Sequence, residues 1–167
     1  GIESERRIFD KLSGVDARAL IEQLQAHGIS VISSSILFLD HHDQQTIGEA
    51  IDWAIGMKGD FHQFMQLTPL AGTPLFEDYR RRGLLLPDFS YTQVSGHDVL
   101  NFHHPHFAPG AAPRITRDAF RRYYRARGPG LVNMARTFVR GYRTARRDAA
   151  QRARAGLAWD PDRLEYV

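Results

Sequence analysis

Two short segments carry side chains that could do chemistry. The first reads Asp-His-His-Asp at residues 40–43, and the second reads QLTPLAGTPL at residues 66–75, with Gln66 and Thr68 near its start. Imidazole and carboxylate groups suit zinc or iron, but adjacent residues at a strand end cannot easily aim at one ion. The alternative is that Asp43 caps a helix and its neighbours form a turn. We favour the alternative and assign no metal ligand.

A third segment, His-His-Pro-His at residues 103–106, raises the same question. A structural zinc site usually relies on cysteine, and the chain has none. We therefore expect residues 99–104 to form a late strand or a sheet edge, with some imidazoles facing a substrate. Walker, His-Glu-x-x-His, Gly-x-Gly-x-x-Gly and Gly-x-Ser-x-Gly motifs are missing from the sequence, so nucleotide hydrolysis, zinc proteolysis, Rossmann binding and a serine nucleophile have no support.

The elements that must position these side chains alternate between strand and helix. Residues 29–40 are β-branched and apolar, residues 43–58 repeat apolar side chains at helical spacing, and residues 61–67 again have strand composition. Pro69 ends the second strand, and Thr73 can cap the helix that follows. This order predicts an α/β fold with parallel strands.

The end of the second strand has two chemically different faces. Gln66 and Thr68 lie two residues apart and share one face, opposite Met65 and Leu67. A polar pair suits a cavity, whereas Met65 and Leu67 suit packing beneath a helix. The sequence does not fix which face points inward.

Charge divides the chain into two parts. Residues 111–167 hold 14 Arg, no Lys and 5 acidic residues, a net charge of +9, whereas residues 1–110 have a net charge of −6. We place a domain boundary at this change, with an α/β unit before it and a basic helical extension after it. No apolar run is long enough to span a membrane. The lack of cysteine fits a reducing compartment, and we expect the protein to be cytoplasmic.

The basic extension reads as two helices. Thr116 can cap the first, and Gly128 with Pro129 ends it. The second has two faces: an apolar stripe of Leu131, Ala135, Phe138 and Tyr142, and arginines around the other side. This surface could bind RNA or anionic lipid headgroups. The alternative, which we favour, is that the stripe packs on the α/β unit and the arginines are solvated.

The three N-terminal motifs together resemble the second half of the catalytic barrel of radical S-adenosylmethionine (SAM) enzymes. GIES at residues 1–4 is similar to the end of the fourth strand, HGISVISSSILFLDHH at residues 27–42 to the fifth, and FHQFMQLTPLAGTPLFEDY at residues 61–79 to the sixth with its helix. The similarity is strongest to enzymes with a cobalamin-binding domain ahead of the barrel. It implies a partial (β/α) barrel with parallel strands over residues 1–110, followed by the arginine-rich α-helical tail.

The resemblance also implies cofactors that this chain cannot hold alone. Such enzymes bind a four-iron four-sulfur cluster through a Cys-x3-Cys-x2-Cys loop after the first strand, and the chain has no cysteine to ligate it. We therefore expect a fragment whose parent protein carries the cluster loop and SAM, with cobalamin use left open. In the parent, the reduced cluster would donate an electron to SAM, the sulfonium bond would break, and the resulting deoxyadenosyl radical would abstract hydrogen from an unknown substrate. The isolated fragment is expected to be inactive and to bind none of these cofactors.

The resemblance points to five cofactor-contacting residues. Glu3 on the fourth strand would meet the ribose or amino-acid part of SAM, or else cap the next helix. Asp40 and His41 match the Asp-His pair of the motif Gly-Phe-Asp-His-Asp that such enzymes carry. This chain has Phe38 at the position of the glycine. The segment from Gln66 to Thr68 would meet the adenine edge. No catalytic side chain is assigned.

A half-barrel would expose an unpaired edge and its lumen face. We therefore expect the fragment to bind the missing N-terminal half of its parent, to form a homodimer, or to fold its tail over the gap. The alternative function is a non-catalytic α/β scaffold whose arginine-rich helix binds RNA or an anionic membrane surface.

Overall fold

A computed structural model describes residues 14–87, 96 and 99–154, except for the side chains of residues 152 and 153. Over this part, the chain forms five helices and two strands. In chain order they are α1 (Ala17–Ala26), β1 (Ile32–Leu37), α2 (Gln44–Gly56), β2 (Phe61–Gln66), α3 (Pro74–Arg81), α4 (Ala112–Arg127) and α5 (Gly130–Arg154). The predicted mixed α/β class is confirmed. None of these helices is both long and apolar enough to cross a bilayer.

The two strands form a parallel pair connected by α2. Their register runs from Ile32 opposite Phe61 to Leu37 opposite Gln66. The predicted strand, helix and strand order is therefore confirmed, and so is the parallel pairing. The sheet has two strands in the described part of the chain, so the predicted partial barrel remains a prediction.

The predicted late strand over residues 99–104 is wrong. This segment makes an isolated antiparallel bridge between Leu85 and Phe102, with backbone hydrogen bonds to residues 84 and 86. Pro87 follows at once and has no N–H to extend the pairing. The bridge therefore stays one residue pair long.

Helices cover one face of the sheet. This face carries the side chains of Ser33, Ser35 and Leu37 from β1 and of His62, Phe64 and Gln66 from β2. Beneath α2 and α4, Leu37 and Phe64 are fully buried and join Ile47, Ile51 and Ala119 in the hydrophobic core. On the other face, called the open face below, Ile32 and Ile36 are 65% and 51% exposed.

The predicted caps have mixed outcomes. Asp43 caps α2, accepting hydrogen bonds from the N–H groups of Gln45 and Thr46, and Thr73 caps α3. Both predictions are confirmed. Thr116 is not a cap, because α4 begins at Ala112 with a proline in its first turn, which already has the φ angle of a helix.

Helix α5 packs with a different side from the one expected. Asn133, Thr137 and Gly141 are buried, whereas Leu131 and Phe138 of the apolar stripe are exposed. The expected packing of this stripe on the α/β unit is wrong. The reason is a buried carboxylate, because Asp60 at the start of β2 is 2% exposed and needs donors.

Polar side chains supply those donors. Thr137 Oγ1 donates to Asp60 Oδ1 at 2.7 Å, and the N–H of Val31 donates to Oδ2 at 2.9 Å. Asn133 Nδ2 donates to the Asp60 carbonyl at 3.4 Å. Helix α5 therefore docks at the amino-terminal ends of the strands through polar and small residues.

Candidate functional site

The candidate site lies at the carboxyl ends of β1 and β2, the edge that carries ligands in open α/β sheets and barrels. Asp40 follows β1 and is held by Tyr79 of α3 and by Arg82, the residue that ends this helix. Tyr79 Oη donates to Asp40 Oδ1, and Arg82 Nη1 donates to Asp40 Oδ2 at 2.8 Å. The guanidinium also contacts the tyrosine ring, 5.3 Å from its centroid. These contacts fix the turn after β1 against the end of α3.

The contacts among Asp40, Tyr79 and Arg82 shift the pKa values of the carboxyl and the phenol. Partial burial would raise the pKa of the Asp40 carboxyl, but hydrogen bonds from Arg82 and Tyr79 outweigh it and hold the pKa below its ordinary value. Burial and the Asp40 carboxylate raise the pKa of the Tyr79 hydroxyl. Asp40 is therefore ionised and Tyr79 protonated at neutral pH.

A loop over residues 101–107 crosses the ends of both strands. Asn101 Nδ2 donates to the Pro69 carbonyl after β2 at 3.0 Å, and His104 Nε2 donates to the Leu39 carbonyl after β1 at 3.0 Å. The N–H of His106 donates to His104 Nδ1, so that nitrogen carries no proton and the ring is neutral. Burial lowers the pKa of His104, in agreement with this state.

The four sequence-predicted residues in the described part of the chain lie after β1 and at the end of β2. Asp40 belongs to the network above, and His41 is exposed, with its ring 4.7 Å from that of His42. Thr68 Oγ1 donates to the carbonyl of Gln66 at 3.2 Å. Glu3 lies outside the described residues.

Gln66 lies on the helix-covered face. Its Nε2 donates to Thr116 Oγ1 of α4 at 3.0 Å, and the side chain is buried. Gln66 therefore packs beneath a helix, whereas Met65 shares the open face with Ile36, its partner in the register. The sequence left this choice open, because alternation identifies two faces but not which one the helices cover.

The described residues do not fit the implied metal cofactor. With no cysteine in the sequence, no thiolate can bind an iron-sulfur cluster. No three histidine or acidic side chains in the described part are arranged around a possible metal ion. At residues 40–43, His42 Nδ1 accepts the Leu39 N–H and Asp43 caps α2. These groups stabilise the turn and cap the helix, which is the alternative favoured from the sequence.

Sequence reasoning missed a buried histidine between two serines. His62 Nδ1 is 2.7 Å from Ser33 Oγ, and His62 Nε2 is 3.2 Å from Ser35 Oγ. The strand register places Ser33 directly opposite His62, so the parallel pairing was the signal that could have found it. Burial lowers the pKa of His62 to about 4. Sequence reasoning also missed Tyr79 and Arg82, the two partners of Asp40. No sequence pattern or strand register pointed to them.

We expect His62 to make folding stability depend on pH. The unfolded chain binds a proton near the ordinary pKa of 6.5 and the folded chain only near 4, so stability falls as pH drops through this window. The full difference is on the order of 3 kcal/mol. Urea unfolding at several pH values should show that the free energy of unfolding falls less with decreasing pH in His62→Asn than in wild type. The exposed His103→Asn is the control, and an equal loss in both variants would contradict the prediction.

Comparison of the chain with protein-family models, curated proteins and solved structures gave no match.

Proposed function

We propose that this chain is the second part of a radical SAM barrel and supplies one wall of its SAM and substrate pocket. The observation that carries the proposal is the one-sided parallel pair of β1 and β2. Helices cover one face, while the other face carries the exposed apolar side chains Ile32 and Ile36. In a (β/α) barrel, strands have helices outside and a lumen inside.

The backbone of β1 supports the same arrangement. The carbonyls of Val31 and Leu37 accept hydrogen bonds from the chain of β2, so the intervening N–H and C=O groups of Ile32, Ser34 and Ile36 point away from β2. The described residues provide no third strand on that side. Such an edge suits pairing with another parallel strand, which in this proposal is the fourth strand of the parent barrel, whose end residues 1–4 resemble.

In this proposal the carboxyl-end network is a positioning device. Asp40, Tyr79 and Arg82 hold the turn that presents His41, and the backbone from Gln66 to Thr68 forms the neighbouring part of the wall. The cluster and the cleavage of SAM belong to a segment outside this chain. The side chain of Gln66 has a structural role beneath α4.

The test uses the complete gene product, reconstituted with iron and sulfide without oxygen. With dithionite supplied as the electron donor, we expect it to form 5′-deoxyadenosine from SAM, and we expect the present chain alone to form none. Asp40→Ala should lower the rate at least about tenfold, because small displacements of positioning groups have large effects. Asp78→Ala is the matched control, since Asp78 also binds Arg82 but is confined to α3. A complete product without bound iron or SAM cleavage would overturn the proposal.

A further inference from the structure

Helix α5 presents an unusually apolar outer surface. Five large apolar side chains are 42% to 68% exposed: Leu131, Val132, Phe138, Val139 and Tyr142. At 100° per residue, Val132 and Val139 lie opposite the buried residues Thr137 and Gly141. Leu131, Phe138 and Tyr142 lie about 100° from the buried side, so the five side chains form a stripe over the flank and the outer side of the helix.

Arginines border this stripe along one flank. Arg136, Arg140, Arg143 and Arg147 are exposed and recur at intervals of three or four residues, which places them on one side of the helix. Together with Val132 and Val139 they line an open groove of about 830 Å³. Asp148 is the lone acidic residue between positions 130 and 151. Among the described residues, none of the four arginines forms an ion pair.

The packing of α5 fixes the direction in which this surface points. Thr137 is bonded to the buried Asp60, and Thr144 Oγ1 donates to the carbonyl of Ala26 at 3.0 Å. Near the same point Gly141 lies against Gly28, leaving no space for a side chain. Because the polar side is fixed inward, the apolar stripe cannot be buried by rotating the helix.

We propose that α5 binds the surface of an anionic lipid bilayer and lies in its plane. The exposed aliphatic and aromatic side chains enter the boundary with the acyl chains, and the arginines bind headgroup phosphates. This inference is independent of the proposed radical SAM function. It assigns a role to the surface that the α/β unit leaves uncovered.

The chemistry favours a bilayer over the two other occupants. RNA would neutralise the arginines, but its phosphates would not bury Leu131, Val132 and Val139. A second copy packed along the same stripe would bring two sets of arginines together with little acidic charge to compensate. An anionic bilayer satisfies both features, since it offers negative charge next to hydrocarbon.

The test is sedimentation of the chain with vesicles of phosphatidylcholine, with or without phosphatidylglycerol. We expect binding to the anionic vesicles and little binding to the neutral ones. The double variant Phe138→Ser/Tyr142→Ser should bind about tenfold more weakly, because it removes apolar area that enters the bilayer. The affinity of Arg140→Gln/Arg143→Gln for the anionic vesicles should fall at least about tenfold, since each arginine near the surface contributes to binding. All four side chains are exposed, so the variants should retain the wild-type circular dichroism spectrum.

Matched controls lie away from α5. Leu70→Ser removes an apolar side chain that is 51% exposed, and Arg81→Gln removes an arginine from α3. Both should bind within about twofold of wild type, as expected for surface changes outside the contact. Equal binding by wild type and the Phe138/Tyr142 variant would overturn the proposal in favour of plain charge attraction, as for RNA. No binding, or a homodimer lost in that variant, would also overturn it.

Discussion

Replacing Phe38 by alanine is expected to lower the free energy of unfolding by about 3 to 5 kcal/mol. Phe38 is fully buried just after β1, with its ring 5.3 Å from that of Phe107 and 6.3 Å from that of His104. Its backbone has φ of +65°, a left-handed conformation that costs a residue other than glycine about 1 to 2 kcal/mol. The aromatic packing must outweigh that cost.

Glycine at the same position separates the two effects. Phe38→Gly loses the same packing but removes the left-handed penalty, so it should be about 1 kcal/mol more stable than Phe38→Ala. Urea unfolding monitored by circular dichroism measures both variants. If Phe38→Ala were as stable as Phe38→Gly or more stable, the result would contradict the positive φ angle at this position.

The same φ angle explains one detail of the radical SAM resemblance. The radical SAM motif that residues 38–41 resemble has glycine at the position of Phe38, and glycine adopts positive φ without strain. The phenylalanine ring turns into the helix-covered core, against Phe107. Phe38 therefore adds core packing in a backbone conformation that glycine favours.

A second large effect is expected from Gly141→Ala, which should destabilise the chain by about 1 to 3 kcal/mol or more. A Cβ at this position would lie 2.3 Å from the Cα of Gly28 and 3.0 Å from the carbonyl oxygen of His27. These are backbone atoms, so no flexible side chain can move aside. Helix α5 must separate from the end of α1, with loss of the hydrogen bond from Thr144 to Ala26.

Gly48→Ala is the matched control and should have the opposite sign. Gly48 lies inside α2, and a Cβ there would have no atom within 4 Å. Alanine in a helix interior is about 0.5 to 1 kcal/mol more favourable than glycine. Thermal unfolding of both variants tests the pair. A stabilising Gly141→Ala would show that α5 and α1 are not in close contact.

The sequence predicted the α/β unit well where local signals agree. The β-branched run, the helical spacing over residues 43–58 and the cap at Asp43 all favour the same elements, and β1, α2 and β2 form as expected. The turn chemistry after β2 was equally clear, since Thr73 precedes Pro74. Here local propensity and tertiary packing point to the same structure.

Predictions failed where a buried polar group decides the packing. The stripe on α5 predicted one buried face, but the carboxylate of Asp60 binds Thr137 and draws the polar side inward. The direction of Gln66, which the sequence left open, is also set by a buried polar partner, because Gln66 bonds to Thr116 beneath α4. In both cases the partner is distant in the sequence, so periodicity alone could not reveal it.

The candidate site was only partly predictable for the same reason. Asp40 stands at a strand end, and the sequence identified it. Its partners Tyr79 and Arg82 are 39 and 42 residues away, and the loop that bonds Leu39 and Pro69 is more distant still. Only the fold brings these groups to one edge.

The central claim is that β1 is an interior strand of a larger parallel barrel. Hydrogen exchange of single amides in the complete gene product tests it most directly. The amides of Ser33 and Ser35 point toward β2 and serve as the internal reference, whereas those of Ser34 and Ile36 point to the outer edge. We expect both sets to be strongly protected, because a neighbouring strand pairs with that edge. Fast exchange at Ser34 and Ile36 beside slow exchange at Ser33 and Ser35 would contradict the barrel.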